Sequence, residues 1–117
     1  MLEKIYGLST SDEKSIGKII DDDHVGINHM VLPKGDSLPQ HYSNSNVYMI
    51  IIRGTMTLKL DEQEPHKYTA RQIISIPNHA KMNVNNLDDD ILEFFVVKSP
   101  NPRNYKERDN WKKLYKL

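Results

Sequence analysis

Short apolar segments alternate with turn-forming residues along most of this chain, and this pattern constrains the fold more than any other feature. The turn signals are the acidic run at 21–23, the Pro-Lys-Gly-Asp segment at 33–36, Gly54 and the segment 61–65. The apolar periodicity around them predicts strands at 13–20, 25–32, 47–53, 55–60, 66–69, 72–77, 81–85 and 91–98. Many short strands at a spacing of roughly 8–12 residues are typical of a β-sandwich or a jelly-roll barrel.

Composition excludes several classes of protein. The chain has 117 residues, zero formal net charge and no cysteine. This length fits one domain, and the charge balance gives no overall attraction to nucleic acid or acidic membranes. The lack of cysteine excludes disulfides and thiolate metal sites. The first ten residues contain no apolar run, and the longest one, at 47–52, is too short to span a bilayer. We therefore expect a cytoplasmic protein that binds neither nucleic acid nor membranes.

Two segments of the chain combine polar residues with a regular spacing. In the first, five residues separate Gly35 from His41, and Ser43 lies two positions after His41. Three residues then separate Ser43 from Val47, and six residues separate Val47 from Gly54.

In the second segment, Arg71 is followed after five residues by Pro77, with His79 two positions further on. Met82 comes after two more residues, and Asn86 after another three.

Both spacings resemble the two motifs of the cupin superfamily, and the resemblance covers about residues 25–98. Arg71 and His79 stand where the family's second motif has glycines. The resemblance implies an all-β fold, a double-stranded β-helix (jelly-roll) barrel of the small, conserved-barrel, RmlC-like type. We assign the barrel domain to residues 1–102, and a short helical or extended tail to 103–117.

The resemblance also identifies positions for a metal. In the family, two histidines and a glutamate of the first motif and a histidine of the second bind a divalent cation. The corresponding residues here are His41, Ser43, Val47 and Met82. Only the first of these is a good ligand for such a cation, so no metal cofactor is expected. If a metal binds, the alternative is a relocated site formed by His29 and His41. The other interpretation of His29 is a hydrogen-bonded wall residue or a solvent-facing strand residue.

Strand alternation predicts which side chains fill the barrel. If His41 faces inward as in the family, its face is shared by Ser43, Val47, Met49, Ile51 and Arg53. We predict a ligand pocket lined by His41, Ser43, Val47, Met49, Ile51, Met82 and His29. Apolar walls with a few polar groups are typical of a small-molecule site, but they are equally typical of a filled barrel core.

The opposite face of the same strand carries Tyr48, Ile50 and Ile52, which is an apolar row that needs a cover. In related small cupins that cover is a second subunit or another layer of strands. This pattern favours a homodimer, and an intrachain cover would produce it as well.

The C-terminal segment from Arg103 to Leu117 contains six basic and two acidic residues. Trp111, Leu114 and Tyr115 have helical spacing, which predicts a short amphipathic helix over 109–117. Such a tail either docks on the surface of its own barrel or binds a partner or a second subunit.

These observations lead to three hypotheses for function. The first is a non-catalytic barrel that binds or senses a small molecule and has lost the usual cupin metal site. The second is an enzyme, either an isomerase-like cupin that uses His41 without metal or a metal-dependent one with ligands at His29 and His41. The third is a structural or partner-binding protein that uses its basic tail. No catalytic residue and no particular ligand can be identified from the sequence.

Overall fold

The structure is a computed structural model that describes residues 1–105. It contains nine strands and one 3-10 turn. The strands are β1 (Ser15–Asp21), β2 (Gly26–Leu32), β3 (His41–Tyr42), β4 (Asn46–Arg53), β5 (Thr55–Leu60), β6 (His66–Thr69), β7 (Ile73–Ile76), β8 (Lys81–Asn85) and β9 (Leu92–Ser99), and the turn spans Pro102–Asn104. The helix predicted over 109–117 lies outside the described residues.

The strands form two antiparallel sheets. The five-stranded sheet has the order β1-β2-β9-β4-β7, and the four-stranded sheet has the order β3-β8-β5-β6. The chain crosses from one sheet to the other several times, as a double-stranded β-helix does. The all-β jelly-roll prediction is therefore confirmed. Among residues 1–105, no helix has the length and hydropathy to cross a membrane.

Every strand predicted from the sequence is present, with ends within two residues of the predicted ones. The prediction missed β3, which has only two residues. That length is too short for an alternation of apolar and polar residues to be visible in the sequence.

The core lies between the two sheets, and alternation selects its members. Apolar residues at every second position of a strand point to the same side, and those of both sheets meet in one cluster. The largest members are Phe94, Leu32, Met49, Ile51, Met56, Ile76, Met82 and Leu92. Because Met30 and Leu32 of β2 belong to this cluster, the residues that alternate with them, His29 and Val31, face the outside of the five-stranded sheet.

Gly54 makes the tight connection between β4 and β5. Its φ is +86°, and an added Cβ would lie 2.9 Å from the Cα atom of Leu92 and closer still to the carbonyl oxygen of Ile91. No side chain fits there, so this motif glycine is required for steric reasons as well as for its backbone conformation.

Two non-glycine residues adopt a glycine-like backbone in the second motif. Arg71 has a φ of 75° and His79 has a φ of 67°. Both stand where the resemblance to the family implies glycine, and both adopt the left-handed backbone conformation that favours glycine.

Candidate functional site

The four positions that correspond to the family's metal ligands lie on both sheets. His41 is on β3, opposite Met82 of β8, while Ser43 follows β3 and Val47 lies on β4. Val47 and Met82 face the barrel interior, Ser43 is buried just after β3, and His41 is exposed.

Ser43 uses its hydroxyl group to hold a turn of the backbone. Its Oγ donates a 2.6 Å hydrogen bond to the carbonyl oxygen of Pro77 and accepts a 2.8 Å hydrogen bond from the backbone N–H of Ala80. The backbone of Ser43 bonds to the same turn, at Ala80 and His79. This buried hydroxyl is thus engaged on both sides, which leaves it a poor candidate for ligating a cation.

The other predicted lining residues are packed into the core. Val47, Met49, Ile51 and Met82 are each 1% exposed and belong to the central apolar cluster. Valine offers no donor atom, and the thioether of Met82 suits soft ions rather than the divalent cations of the family. The donor set at the motif positions therefore does not fit the family's metal, and the packing supports a filled centre for the barrel.

His41 lies on the surface, at the rim of the barrel. Its Nδ1 is 2.9 Å from the carbonyl oxygen of Pro39. Since a carbonyl oxygen can only accept, Nδ1 donates this hydrogen bond. The sequence interpretation placed this side chain inward; the structure leaves it exposed.

His29 is buried on the outer face of the five-stranded sheet. Its Nε2 lies 2.7 Å from Oε2 of Glu93, and its ring packs against Phe95 at a centroid distance of 5.3 Å. His29 and His41 belong to different sheets, and the structure does not bring them together. Within residues 1–105, no three His, Cys, Asp or Glu side chains converge as a metal site would need.

Arg53 departs from its predicted position for a clear reason. A β-bulge shifts the register of β4 between Ile51 and Arg53, so Arg53 lies opposite Glu93 rather than in line with the inward residues. Its guanidinium group contacts Glu93 at 3.2 Å and Asp12 at 3.0 Å. The prediction that Arg53 shares the inward face is wrong, and this side chain instead ties the N-terminal segment to the outer face of the sheet.

A polar cleft lies at one end of the five-stranded sheet, on its inner face. The inward row of β9 runs through Phe94 and Val96 and ends at Lys98, which lies opposite Gly26 of β2. The inward row of β2 likewise changes from apolar residues to Asn28, which pairs with Lys18 of β1. The cleft has a volume of about 330 Å³ and is lined by Lys18, Ile20, Asp21, Gly26, Asn28, Asn44, Lys98, Asn101, Pro102 and Arg103.

The charges in the cleft are mostly positive. Three cationic side chains line it, against the single carboxylate of Asp21. That carboxylate accepts a 2.6 Å hydrogen bond from Asn101 and lies 3.1 Å from Arg103, and these contacts hold its pKa below the usual value. Lys98 is half-buried; loss of hydration, and then the charge of Lys18, lower the pKa of its ammonium group.

The cleft was not predicted from the sequence, although the position of one lysine indicates it. Lys98 continues the inward alternation of Leu92, Phe94 and Val96, so a charged residue stands in phase with a core row. The contributions of Asn44 and Arg103 depend on how loops fold against the sheet, which strand periodicity does not reveal.

Comparison with known proteins gives a consistent family assignment. The family model of the cupin domain matches residues 28–98. An uncharacterized protein of Methanocaldococcus jannaschii is 49% identical over 104 residues, which cover 88% of this chain and 90% of the relative.

Solved structures agree on the fold. The crystal structure of an RmlC-like cupin family protein from Methanocaldococcus jannaschii, with a double-stranded β-helix fold, matches with a TM-score of 0.85 and 49% identity. That match covers 88% of this chain and 95% of the other. A cupin superfamily protein from Desulfitobacterium hafniense has a TM-score of 0.68 at 12% identity, covering 79% of this chain and 82% of that one, and this likeness bears on the fold alone.

Proposed function

This chain belongs to the cupin family, and we propose that it is a non-catalytic barrel that binds a small molecule without the family's metal. The centre of the barrel is filled by apolar side chains, among them most of the residues predicted to line a pocket. We therefore assign the ligand site to the cleft at the polar end of the inner face, next to Lys98.

The observation that carries this proposal is the cleft itself. Its volume of about 330 Å³ lies at the lower end of the range for small-molecule sites, roughly 300–1,000 Å³. Amide and ammonium groups from three strands and two loops converge on it, as in sites that orient a small ligand. Its position at the end of a sheet leaves the packed core intact.

A thermal-shift screen with a library of charged and neutral small molecules tests the proposal. Gly26→Val places a larger side chain in the cleft, because an added Cβ at Gly26 meets Asn101 and Lys98 only at 3.8 and 3.9 Å and so causes no clash with the backbone. Gly7→Val is the matched control, because nothing lies within 4 Å of a Cβ added there.

We expect at least one compound to raise the melting temperature of the wild type and of Gly7→Val, but not that of Gly26→Val. The proposal fails if no compound acts, or if Gly26→Val responds like the wild type. Elemental analysis of untagged protein exposed to Mn, Fe, Ni, Cu and Zn tests the metal separately. Near-stoichiometric metal that is lost in His41→Ala would favour the metalloenzyme hypothesis instead.

We also propose that the protein is a cytoplasmic homodimer. The outer face of the five-stranded sheet exposes a row of large apolar side chains, with Tyr48 40%, Ile52 46% and Ile73 67% exposed. In the N-terminal segment, Leu2 is fully exposed and Ile5 is 82% exposed. A second copy of the chain would cover both surfaces, which supports association through this face.

A further inference from the structure

Building on the proposed function, we infer that the cleft binds a small molecule that carries a carboxylate or phosphate group, and that Lys98 contacts this anionic group. The inference rests on the position of Lys98, on the lack of a counter-charge for it, and on the donors that surround it.

Strand alternation places Lys98 on the inner face of the five-stranded sheet. It shares the inner face of β9 with Phe94 and Val96, and its neighbours across the two adjoining strands are Gly26 and Val47. Gly26 places no side chain beside Lys98, and a Cβ added there would lie 3.9 Å from the Cβ atom of Lys98.

The other cations of the cleft already have partners. Arg103 contacts Asp21 at 3.1 Å and Asp23 at 3.2 Å, and Lys18 lies 3.7 Å from Asp21. No carboxylate of residues 1–105 lies within ion-pair distance of Lys98. Burial, and then the charge of the neighbouring Lys18, lower the pKa of Lys98, so its charged ammonium group carries a desolvation penalty. An anion would remove this penalty, and a neutral ligand would not.

Two amide side chains add hydrogen-bond donors to the same site. Asn28 and Asn44 line the cleft, and neither side chain is hydrogen-bonded to another of the described residues. Carboxylate and phosphate oxygens accept several hydrogen bonds at once, so they can use both amides and the ammonium group together. The third amide, Asn101, is already committed to Asp21 and to the backbone N–H of Arg103.

The size and charge of the cleft limit the ligand further. Three cations and one carboxylate line the cleft, and Asp23 also pairs with Arg103, so the net positive charge is small and suits a small anion. The volume of about 330 Å³ and the zero net charge of the whole chain do not favour a polyanion such as nucleic acid.

The experiment compares charged probes with a neutral one of the same shape. Succinate, succinamide and inorganic phosphate are titrated into the full-length protein at constant ionic strength, and binding is followed by calorimetry and by backbone amide chemical shifts. Lys98→Met keeps an unbranched side chain that is one atom shorter and removes the charge. Lys59→Met is the matched control, since Lys59 lies on β5 in the other sheet.

We expect succinate or phosphate to bind with shifts at Gly26 and Asn28, and Lys98→Met to weaken binding by roughly tenfold or more, while Lys59→Met has no effect. A comparison of the affinities for succinate and for phosphate shows whether the site prefers a carboxylate or a phosphate group. If succinamide binds as tightly as succinate, or if Lys98→Met binds the anion unchanged, the inference is overturned and the proposed small-molecule function stands. If neither succinate nor phosphate binds, the inference of an anionic ligand is also overturned. The proposed small-molecule function is then tested by the thermal-shift screen alone.

Discussion

The hydroxyl group of Ser43 donates a 2.6 Å hydrogen bond to the carbonyl oxygen of Pro77, which joins the residue after β3 to the residue after β7. The same oxygen accepts from the N–H of Ala80. Ser43 stands where the resemblance to the family implies a metal-binding histidine, and here its side chain links the loop after β3 to the turn at 77–80.

Loss of this link should destabilise the protein. Ser43→Ala leaves a buried carbonyl and a buried N–H without their partner, and we expect a loss of about 1–3 kcal/mol in the free energy of unfolding. Urea denaturation at pH 7 measures it. Ser75→Ala on the exposed side of β7 is the control and should change stability by less than about 0.5 kcal/mol. Equal effects of the two substitutions would contradict the role given to Ser43.

The two motif-one glycines offer a matched comparison. Gly35 and Gly54 have nearly the same φ, +85° and +86°, but an added Cβ meets nothing within 4 Å at Gly35 and collides with the backbone of β9 at Gly54. Gly35→Ala should therefore cost only the conformational strain, about 1–2 kcal/mol, and Gly54→Ala should cost clearly more. Chemical denaturation of both variants measures the difference, and similar losses would show that the close approach of Gly54 to β9 is unimportant.

Replacement of His79 by glycine should stabilise the protein. The φ of His79, 67°, is unfavourable for a residue with a Cβ, and its side chain is exposed. We expect His79→Gly to raise the free energy of unfolding by about 0.5–1 kcal/mol. Ser75→Gly, within a strand, should lower it because glycine weakens strands. A destabilised His79→Gly variant would indicate that the imidazole makes a contribution that the described contacts do not include.

Lys98 should make stability depend on pH in a definite direction. The pKa of its ammonium group is lower in the folded state than in the unfolded state. At neutral pH the poorly hydrated charge therefore lowers the free energy of unfolding. The penalty is fully present below the folded pKa and disappears as the pH rises through the unfolded value. Lys98→Met should thus be more stable than the wild type at pH 7, and this advantage should shrink towards pH 10.5, the ordinary pKa of lysine. Denaturation midpoints across that pH range measure the difference, and a variant less stable than the wild type at pH 7 would contradict it.

Strand periodicity predicted the strands and a β-sandwich or jelly-roll barrel, because alternation and turn residues are local properties of the sequence, and the resemblance to the cupin motifs then indicated the double-stranded β-helix. It also placed Val47, Met49 and Ile51 correctly on the inner face. It failed at Arg53, because a bulge adds one residue to a strand and reverses the side on which the next side chain lies. It could not find the cleft at Lys98, because that cleft is formed by loops and strand ends that are distant in sequence.

A charged residue on the outer face of the five-stranded sheet should prevent dimerisation. Ile73 is 67% exposed in the single chain, so Ile73→Lys should leave the folding of one chain almost unchanged. In a dimer that buries this face, the same substitution introduces an unpaired buried charge that costs about 3 kcal/mol or more, which weakens dimerisation over a hundredfold. Sedimentation equilibrium should give twice the chain mass of 13.6 kDa for the wild type and a single chain for the variant. Leu87→Lys, at a residue 61% exposed in the loop after β8, is the control and should remain dimeric. A wild type that is monomeric at high micromolar concentration would refute the dimer, whereas a dimeric Ile73→Lys variant would place the interface on another surface.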